Sequence, residues 1–265
     1  MQLLRRSILI MLLLGLMAGV FGGLLGIGGG VIIVPGLVFF FGLTQHKAHG
    51  TSLAVALMLS LAGVIGYAIR GHLDLFLAVE MAVGAIIGAT IGAKVAGGLQ
   101  GRVLRMIFSL FIAAVGIRMM FGGFMALCGS QDGFAAASWA GDGVIRAAIV
   151  AGVGAAAGFA SSLLGIGGGM VMVPAMVLLL CVPQKMAQGV SLAVMTASAS
   201  TGMLMHHGMG NVEFYIANWV GLGAVVGALV GSSIAAIVDA THLKLIFGGF
   251  LLVMAILMGL KKGDR

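Results

Sequence analysis

Apolar positions in this chain do not alternate with polar ones; they come in long blocks. No Asp, Glu, Lys or Arg interrupts the stretches from Ser7 to Gln45, Ala48 to Ile69, Met81 to Ala93 or Met106 to Ile117, and the second half gives 147–184, 186–212, 214–238 and 245–260. Crossing a bilayer core of about 30 Å takes about 20 predominantly apolar residues as a helix. Each half is therefore read as four hydrophobic units of helix. A more polar stretch at 123–143, holding Ser130, Gln131, Asp132, Ser138, Trp139 and Asp142, separates them. The expected layout is a first transmembrane repeat at 1–122, a polar connecting loop at 123–143 and a second transmembrane repeat at 144–265.

The two halves are copies. Residues 25–35 read LGIGGGVIIVP and residues 164–174 read LGIGGGMVMVP, identical at eight of eleven positions and 139 residues apart. The same offset pairs Gln45 with Gln184, Gly50 to Val55 with Gly189 to Val194, Gly71 with Gly210 and Asp74 with Glu213. It also sets Gly15 and Gly19 against Gly154 and Gly158, and Gly84, Gly88 and Gly92 against Gly223, Gly227 and Gly231. Arg5 and Arg6 before an apolar core give the start the look of a signal peptide. Membership in the repeat argues instead that this run stays in the mature protein.

The first run is too long for one straight helix. Ser7 to Leu43 is 37 residues, roughly 55 Å at 1.5 Å per residue. A break is expected at Gly26-Ile27-Gly28-Gly29-Gly30, with Pro35 in the first turn of a new helix, where its missing N–H costs nothing. Gly165 to Gly169 and Pro174 repeat the arrangement. Irregular backbone within a membrane is tolerated where it is buried in protein or lines a cavity, and a pair of broken helices in corresponding places of two repeats marks a transporter's substrate site.

Composition closes off the soluble alternatives. Hydrophobic residues make up 61% and charged residues 8%, against roughly 25% charged in soluble domains. The 46 glycines lie inside apolar runs, where small residues let helices approach closely. Cys128 and Cys181 form neither a metal-ligand spacing nor a disulfide framework and read as packing residues. The net charge of +7 is spread singly or in pairs at run ends, which is membrane-flanking charge and not a nucleic-acid face.

Without side chains, the glycine N–H groups can approach an anion closely, and a following helix N-terminus adds partial positive charge. The plainer use of GIGGG is to let two helices cross tightly. A dinucleotide fingerprint is excluded, since it needs glycine at Val31 and an acid about 20 residues on. These doubled LGIGGG…VP runs, with the Q-x-x-A-x-G-x-S-L-A-V segments that follow them, resemble the sulfite exporter TauE/SafE family of bacterial membrane transporters. The resemblance covers nearly the whole chain. It implies an integral protein of the bacterial inner (plasma) membrane that handles sulfite, sulfoacetate or other small organosulfur anions and carries no prosthetic group.

Candidate substrate contacts follow from the duplication: Gly28, Gly29, Gly30, Gln45, His49, Thr51 and Ser52 in the first repeat, and Gly167, Gly168, Gly169, Gln184, Gln188 and Ser191 in the second. Hydroxyls and amides near a helix start offer neutral hydrogen bonds to an oxyanion, although ordinary N-capping uses the same residues. His206 and His207 point about 100° apart on a helix, and nothing completes a metal site around them; histidines at a membrane edge also suit proton relay. Glu80 and Arg118 are both 19 residues from position 99. They share a depth if the chain turns there, which makes them a candidate ion pair or gate.

Lys/Arg bias chooses between topologies. If each broken unit is a hairpin and the N-terminus is cytoplasmic, nine Lys/Arg lie inside (Arg5, Arg6, Lys47, Lys94, Arg102, Arg105, Lys261, Lys262, Arg265) and five outside. If the broken units cross fully, the balance is eight to six. The expectation is an all-α polytopic membrane protein of two inverted repeats, each a glycine-broken hairpin plus about three spanning helices, with both termini cytoplasmic. Its partners are a small anion and the lipid bilayer, without nucleic acid, cofactor or metal; self-association stays open. No serine–histidine–acid order, H-E-x-x-H motif or catalytic carboxylate pair suggests an enzyme. A carrier for export by alternating access is the leading reading, and an anion channel, or a carrier for another small anionic metabolite, is the alternative.

Overall fold

The computed structural model describes residues 2–96, 101–127, 143–164 and 168–260. Ten helices account for nearly all of them: α1 Gln2–Leu25, α2 Gly30–Phe41, α3 Gln45–Ala68, α4 Leu75–Ala96, α5 Gly101–Leu127, α6 Gly143–Leu164, α7 Gly169–Leu179, α8 Gln184–Gly208, α9 Phe214–Ile237 and α10 Ala240–Leu260. No strand occurs among the described residues. Among the described residues, four helices hold segments long and apolar enough to span a membrane: Ser7–Leu25, Gln45–Ala68, Phe214–Ile237 and Ala240–Leu257. Large apolar side chains stand exposed at helical spacing, as at Leu9, Leu13 and Met17 on α1 or Val79, Val83 and Ile87 on α4, because the solvent on that side is hydrocarbon.

The break falls on the glycines. Gly26, Gly28 and Gly29 have φ of 71°, 71° and 69°, a left-handed conformation that costs other residues roughly 1–2 kcal/mol each. Glycine is the residue that makes this turn without strain. Beyond it α2 folds back along α1: a Cβ on Gly29 would stand 2.8 Å from the Ala18 carbonyl oxygen, and one on Gly36 would meet the Leu14 side chain at 2.5 Å. Numbers rise on one helix as they fall on the other, so the broken unit is a hairpin. The prolines are not where the sequence suggested. Pro35 and Pro174 lie inside α2 and α7, at the sixth residue of each rather than in the first turn. The glycine turn starts the helix at Gly30 directly, and each proline then removes one bond to the carbonyl four residues back.

Glycine rows seam the remaining helices. On α1, a Cβ at Gly15, Gly19 or Gly23 would stand 1.9, 2.3 or 2.5 Å from the carbonyl oxygens of Val220, Ala224 and Ala228 on α9. On α9, Gly223, Gly227 and Gly231 press in return on the carbonyls of Leu12, Leu16 and Val20. The two helices run parallel in backbone contact. The pair α4 and α6 is built the same way, Gly84 and Gly88 against Ala151 and Ala155, Gly154 and Gly158 against Met81 and Ala85. By contrast α3 and α8 cross antiparallel, with Gly63 beneath Leu192, Gly202 beneath Leu53 and Ser60 beside Thr196. α5 and α10 do likewise through Gly116 and Gly248. Every one of these contacts between α1 and α9 or across α3 and α8 that involves a described pair of glycines reappears 139 positions along the chain.

Candidate functional site

The α1–α2 turn lies against the middle of the α3–α8 crossing. Gly28 is covered by the Met195 side chain, whose sulfur would be 1.9 Å from an added Cβ, and Gly29 and Gly22 both face Leu59. Gly26 backs onto Gln188, with 2.8 Å between an added Cβ and the Gln188 Cα. The start of α7 comes in beside this turn: a Cβ on Gly169 would be 2.3 Å from the Gly26 carbonyl oxygen and 2.6 Å from the Ile27 Cα. The first glycine turn thus meets the start of α7. Gly168 caps α7 in an ordinary helical conformation, and Gly167 lies outside the described residues.

One face of α8 supplies the polar groups, because positions 184, 188 and 191 recur at three- and four-residue spacing. Ser191 is fully buried and its hydroxyl donates to the Gly26 carbonyl at 2.8 Å, tying α8 to the turn. Gln188 is fully buried, and its Nε2 meets no partner. Gln184, 2% exposed, has neither amide atom partnered. Orphaned buried amides are costly, roughly 1–3 kcal/mol each, and that makes them pointers to a ligand. Among the described residues the N–H groups of Gly28, Gly29, Gly30 and Val31 also donate to no carbonyl.

Tyr67, which the sequence did not single out, completes this end. It is 1% exposed on α3, and its hydroxyl lies 2.9 Å from the Gly23 carbonyl oxygen, 3.4 Å from that of Leu24 and 3.1 Å from Gln188 Oε1. A lone tyrosine near the end of an apolar helix was the available signal, since a buried phenol needs a partner for its hydroxyl.

The matching residues of α3 are placed differently. Gln45 is exposed at the helix start and His49 is half-buried. Ser52 is buried and donates to the His49 carbonyl at 2.9 Å. Thr51 is fully buried, and its hydroxyl oxygen accepts from the Glu213 backbone N–H at 3.1 Å. It therefore belongs to a second polar cluster, where Lys47 Nζ and a Glu213 carboxylate oxygen form an ion pair at 2.5 Å. This cluster sits at the far end of the α3–α8 pair from Tyr67, with His206 against Gly50 and the His207 ring edge-on to Phe214.

Glu80 and Arg118 are not brought together. The ion pair among the described residues is Lys47–Glu213; α4 packs chiefly against α6 and α8, whereas α5 packs against α10. Their helices face different partners. Glu80 Oε2 is buried without a hydrogen bond. Among the described residues no three His, Cys, Asp or Glu groups come together as a metal site.

Comparison with known proteins now has a geometry to refer to. Residues 2–119 and 150–265 match the family described as Sulfite exporter TauE/SafE, leaving out the whole of the polar stretch between the halves. The chain is 28% identical over 250 residues to the Probable membrane transporter protein YunE of Bacillus subtilis (strain 168), covering 86% of this chain and 88% of that one. A Probable membrane transporter protein of Xylella fastidiosa (strain 9a5c) is 29% identical over 238 residues, 88% of each chain. One from Haemophilus influenzae is 28% identical over 281 residues, covering 96% of this chain and 98% of that one. No solved structure matches. With its apolar helices and its match across both halves, the chain belongs to the sulfite exporter TauE/SafE family of membrane transporters.

Proposed function

We propose that the protein exports sulfite or a small organosulfonate such as sulfoacetate across the bacterial plasma membrane by alternating access. The observation that carries this reading is the meeting of the first glycine turn with the start of α7 beside Gln188, whose Nε2 is buried and unpartnered, with both amide atoms of Gln184 buried and unpartnered one helical turn earlier on α8. The N–H groups of Gly28, Gly29 and Gly30, the helix starts behind them and the α8 amides recognise an oxyanion without a fixed cation. Lys47 aligns with Met186 and Arg70 with Met209, so no basic residue of either turn is duplicated. Dipolar recognition is weak enough to allow release, and an affinity in the micromolar range or weaker, on the order of −8 kcal/mol or less favourable, is expected.

The halves act as inverted repeats in this proposal. Helices that correspond by sequence cross one another antiparallel, α3 with α8 and α5 with α10, which is what a two-fold axis in the membrane plane would produce. One repeat rocks against the other, opening the glycine turns first to one side and then to the other. The hairpin topology puts the Lys47–Glu213 end in the cytoplasm together with both termini, and the membrane potential favours anion exit by about 2.3 kcal/mol per charge per 100 mV.

Counterflow in proteoliposomes tests the mechanism. Sulfite loaded inside should accelerate uptake of labelled sulfite, as a carrier requires. Uptake indifferent to internal sulfite would make the protein a channel, and indifference to every sulfur oxyanion would end the substrate assignment.

A further inference from the structure

The hydroxyl of Tyr67 faces more oxygen atoms than it can serve. It has one proton, and around it stand the carbonyl oxygens of Gly23 and Leu24 and the amide oxygen of Gln188, at 2.9, 3.4 and 3.1 Å. The carbonyls come from the end of α1, where the turn diverts the backbone donors: the N–H groups of Gly26 and Ile27 both go to Gly22. Among the described residues Gly23 and Leu24 therefore have no donor but Tyr67. Leaving a buried carbonyl unpaired costs roughly 1–3 kcal/mol, so the phenol proton is committed to α1. Gln188 then faces a lone pair. The two ends of a glutamine amide have the same shape, and hydrogen-bond bookkeeping decides which faces which way. With its NH2 turned to the phenol oxygen the amide donates a bond there; with its oxygen so turned, two acceptors would oppose each other.

We propose that Tyr67 is a positioning residue that holds the Gln188 NH2 group to itself and turns the Gln188 carbonyl oxygen to the substrate, so that the site selects an oxyanion carrying a hydrogen-bond donor of its own. The smallest such substrate is hydrogen sulfite, with its S–O–H group. The sulfite dianion has no donor and would leave the Gln188 oxygen unpaired. This rests on the sulfur-oxyanion reading above. The glycine N–H groups serve the charged oxygens, and the Gln188 oxygen tests for the proton. A site built to pair with a substrate hydroxyl discriminates strongly against an analogue that lacks it, because its own polar group is left without a partner.

Sulfite ionises for the second time near neutral pH, so the selection is visible as a pH dependence of its apparent KM. The titratable and charged groups on this end of the elements packed against α8 are Tyr67 on α3, Arg70 and His72 beyond it, Lys185 on α8, Asp74 and Glu80 at and on α4, and Asp239, His242 and Lys244 at and on α10; α2, α7 and this end of α9 carry no ionisable side chain. All of them but Tyr67 remain in Tyr67→Phe, and comparing that variant with the wild type at each pH cancels their titration. Uptake of labelled sulfite by the reconstituted full chain should show a wild-type KM for total sulfite that rises about tenfold per pH unit above the second ionisation of sulfite. In Tyr67→Phe the amide is free to turn its NH2 to the dianion, and the rise flattens. A purely structural role for Tyr67 would lower Vmax and leave the two KM profiles parallel, as would a preference based on charge alone; parallel profiles, or a flat wild-type profile, overturn the proposal. A second measurement needs no variant: hydroxymethanesulfonate should inhibit wild-type sulfite uptake more strongly than ethanesulfonate, its isostere without the hydroxyl. Equal inhibition overturns the proposal too. Absence of sulfite uptake at every pH would instead remove the substrate assignment beneath it.

Discussion

Alanine at Gly88 or Gly227 adds a single methyl group to a seam where helices already touch backbone to backbone. The new Cβ would stand 2.0 Å from the Ala155 carbonyl oxygen in the first case and 2.4 Å from that of Leu16 in the second. Neither obstacle is a side chain that can swing away. Restoring ordinary contact requires the paired helices to part by roughly 1 Å, and a gap of that size forfeits a quarter to a half of each dispersion contact it opens. Overpacking of this kind costs about 1–3 kcal/mol, whereas alanine's better helix propensity returns up to about 1 kcal/mol. The seam should win, leaving each variant about 1–2 kcal/mol less stable. Gly152 is the control: it lies exposed on α6 with nothing within 4 Å of an added Cβ, so Gly152→Ala should gain up to about 1 kcal/mol. Unfolding followed by helical circular dichroism in mixed micelles reads the difference. If Gly88→Ala and Gly227→Ala match Gly152→Ala, the seams are looser than described and the argument fails.

Gly29→Val should insert in the membrane yet lose transport, because a branched side chain at φ 69° would be driven into the Ala18 carbonyl at the turn proposed to meet substrate; vesicle uptake alongside quantification of membrane-inserted protein checks it, and normal uptake would free the turn of any role. Asp239 caps α10, its Oδ2 accepting from the Thr241 N–H at 3.0 Å, and that bond together with the Thr241 hydroxyl holds its carboxyl below the usual range. The cap's contribution is thus full above the ordinary aspartate value of about 3.9 and disappears as pH falls through the depressed folded value. The Tm difference between wild type and Asp239→Asn should be present at neutral pH and vanish in strong acid. Cys181 is exposed between α7 and α8; in a Cys128→Ser background it should react with an impermeant thiol reagent added outside intact cells, and labelling confined to inverted vesicles would reverse the topology.

How much of this was legible beforehand depends on which dimension the residues had to reveal. The break at Gly26 to Gly30 could be read because it needs only chain length against bilayer thickness and a run of residues that tolerate left-handed φ. The hairpin followed from charge bias along the chain, which is also a one-dimensional quantity. The place of Pro35 could not be read, because three left-handed glycines start α2 without help from a proline. Glu80 and Arg118 show the same limit: sequence gives depth but not the direction in which a helix faces, and α4 and α5 face different partners. The glycine rows were visible as repeats, yet nothing in one dimension says that Gly15 seats on Val220. Tyr67 escaped for a related reason, since its role comes from the α1 carbonyls it meets, 43 and 44 residues away.

The crosswise pairing of α1 with α9 and α4 with α6 also dictates how the molecule can be assembled. Gly15 and Val220 are 205 positions apart (220 − 15), so the glycine face of α1 has no seat until nearly the whole chain has been synthesised. During translation the first half therefore waits in the bilayer with its backbone-lined groove uncovered. Late, non-local contacts of this kind slow folding and leave intermediates open to mispairing. A chain arrested before α9 would offer that groove to any other small-residue helix passing in the membrane. The interlock of α1 with α9 and of α4 with α6 thus prevents either half from maturing alone, and it makes the completion of synthesis itself the step that commits the fold.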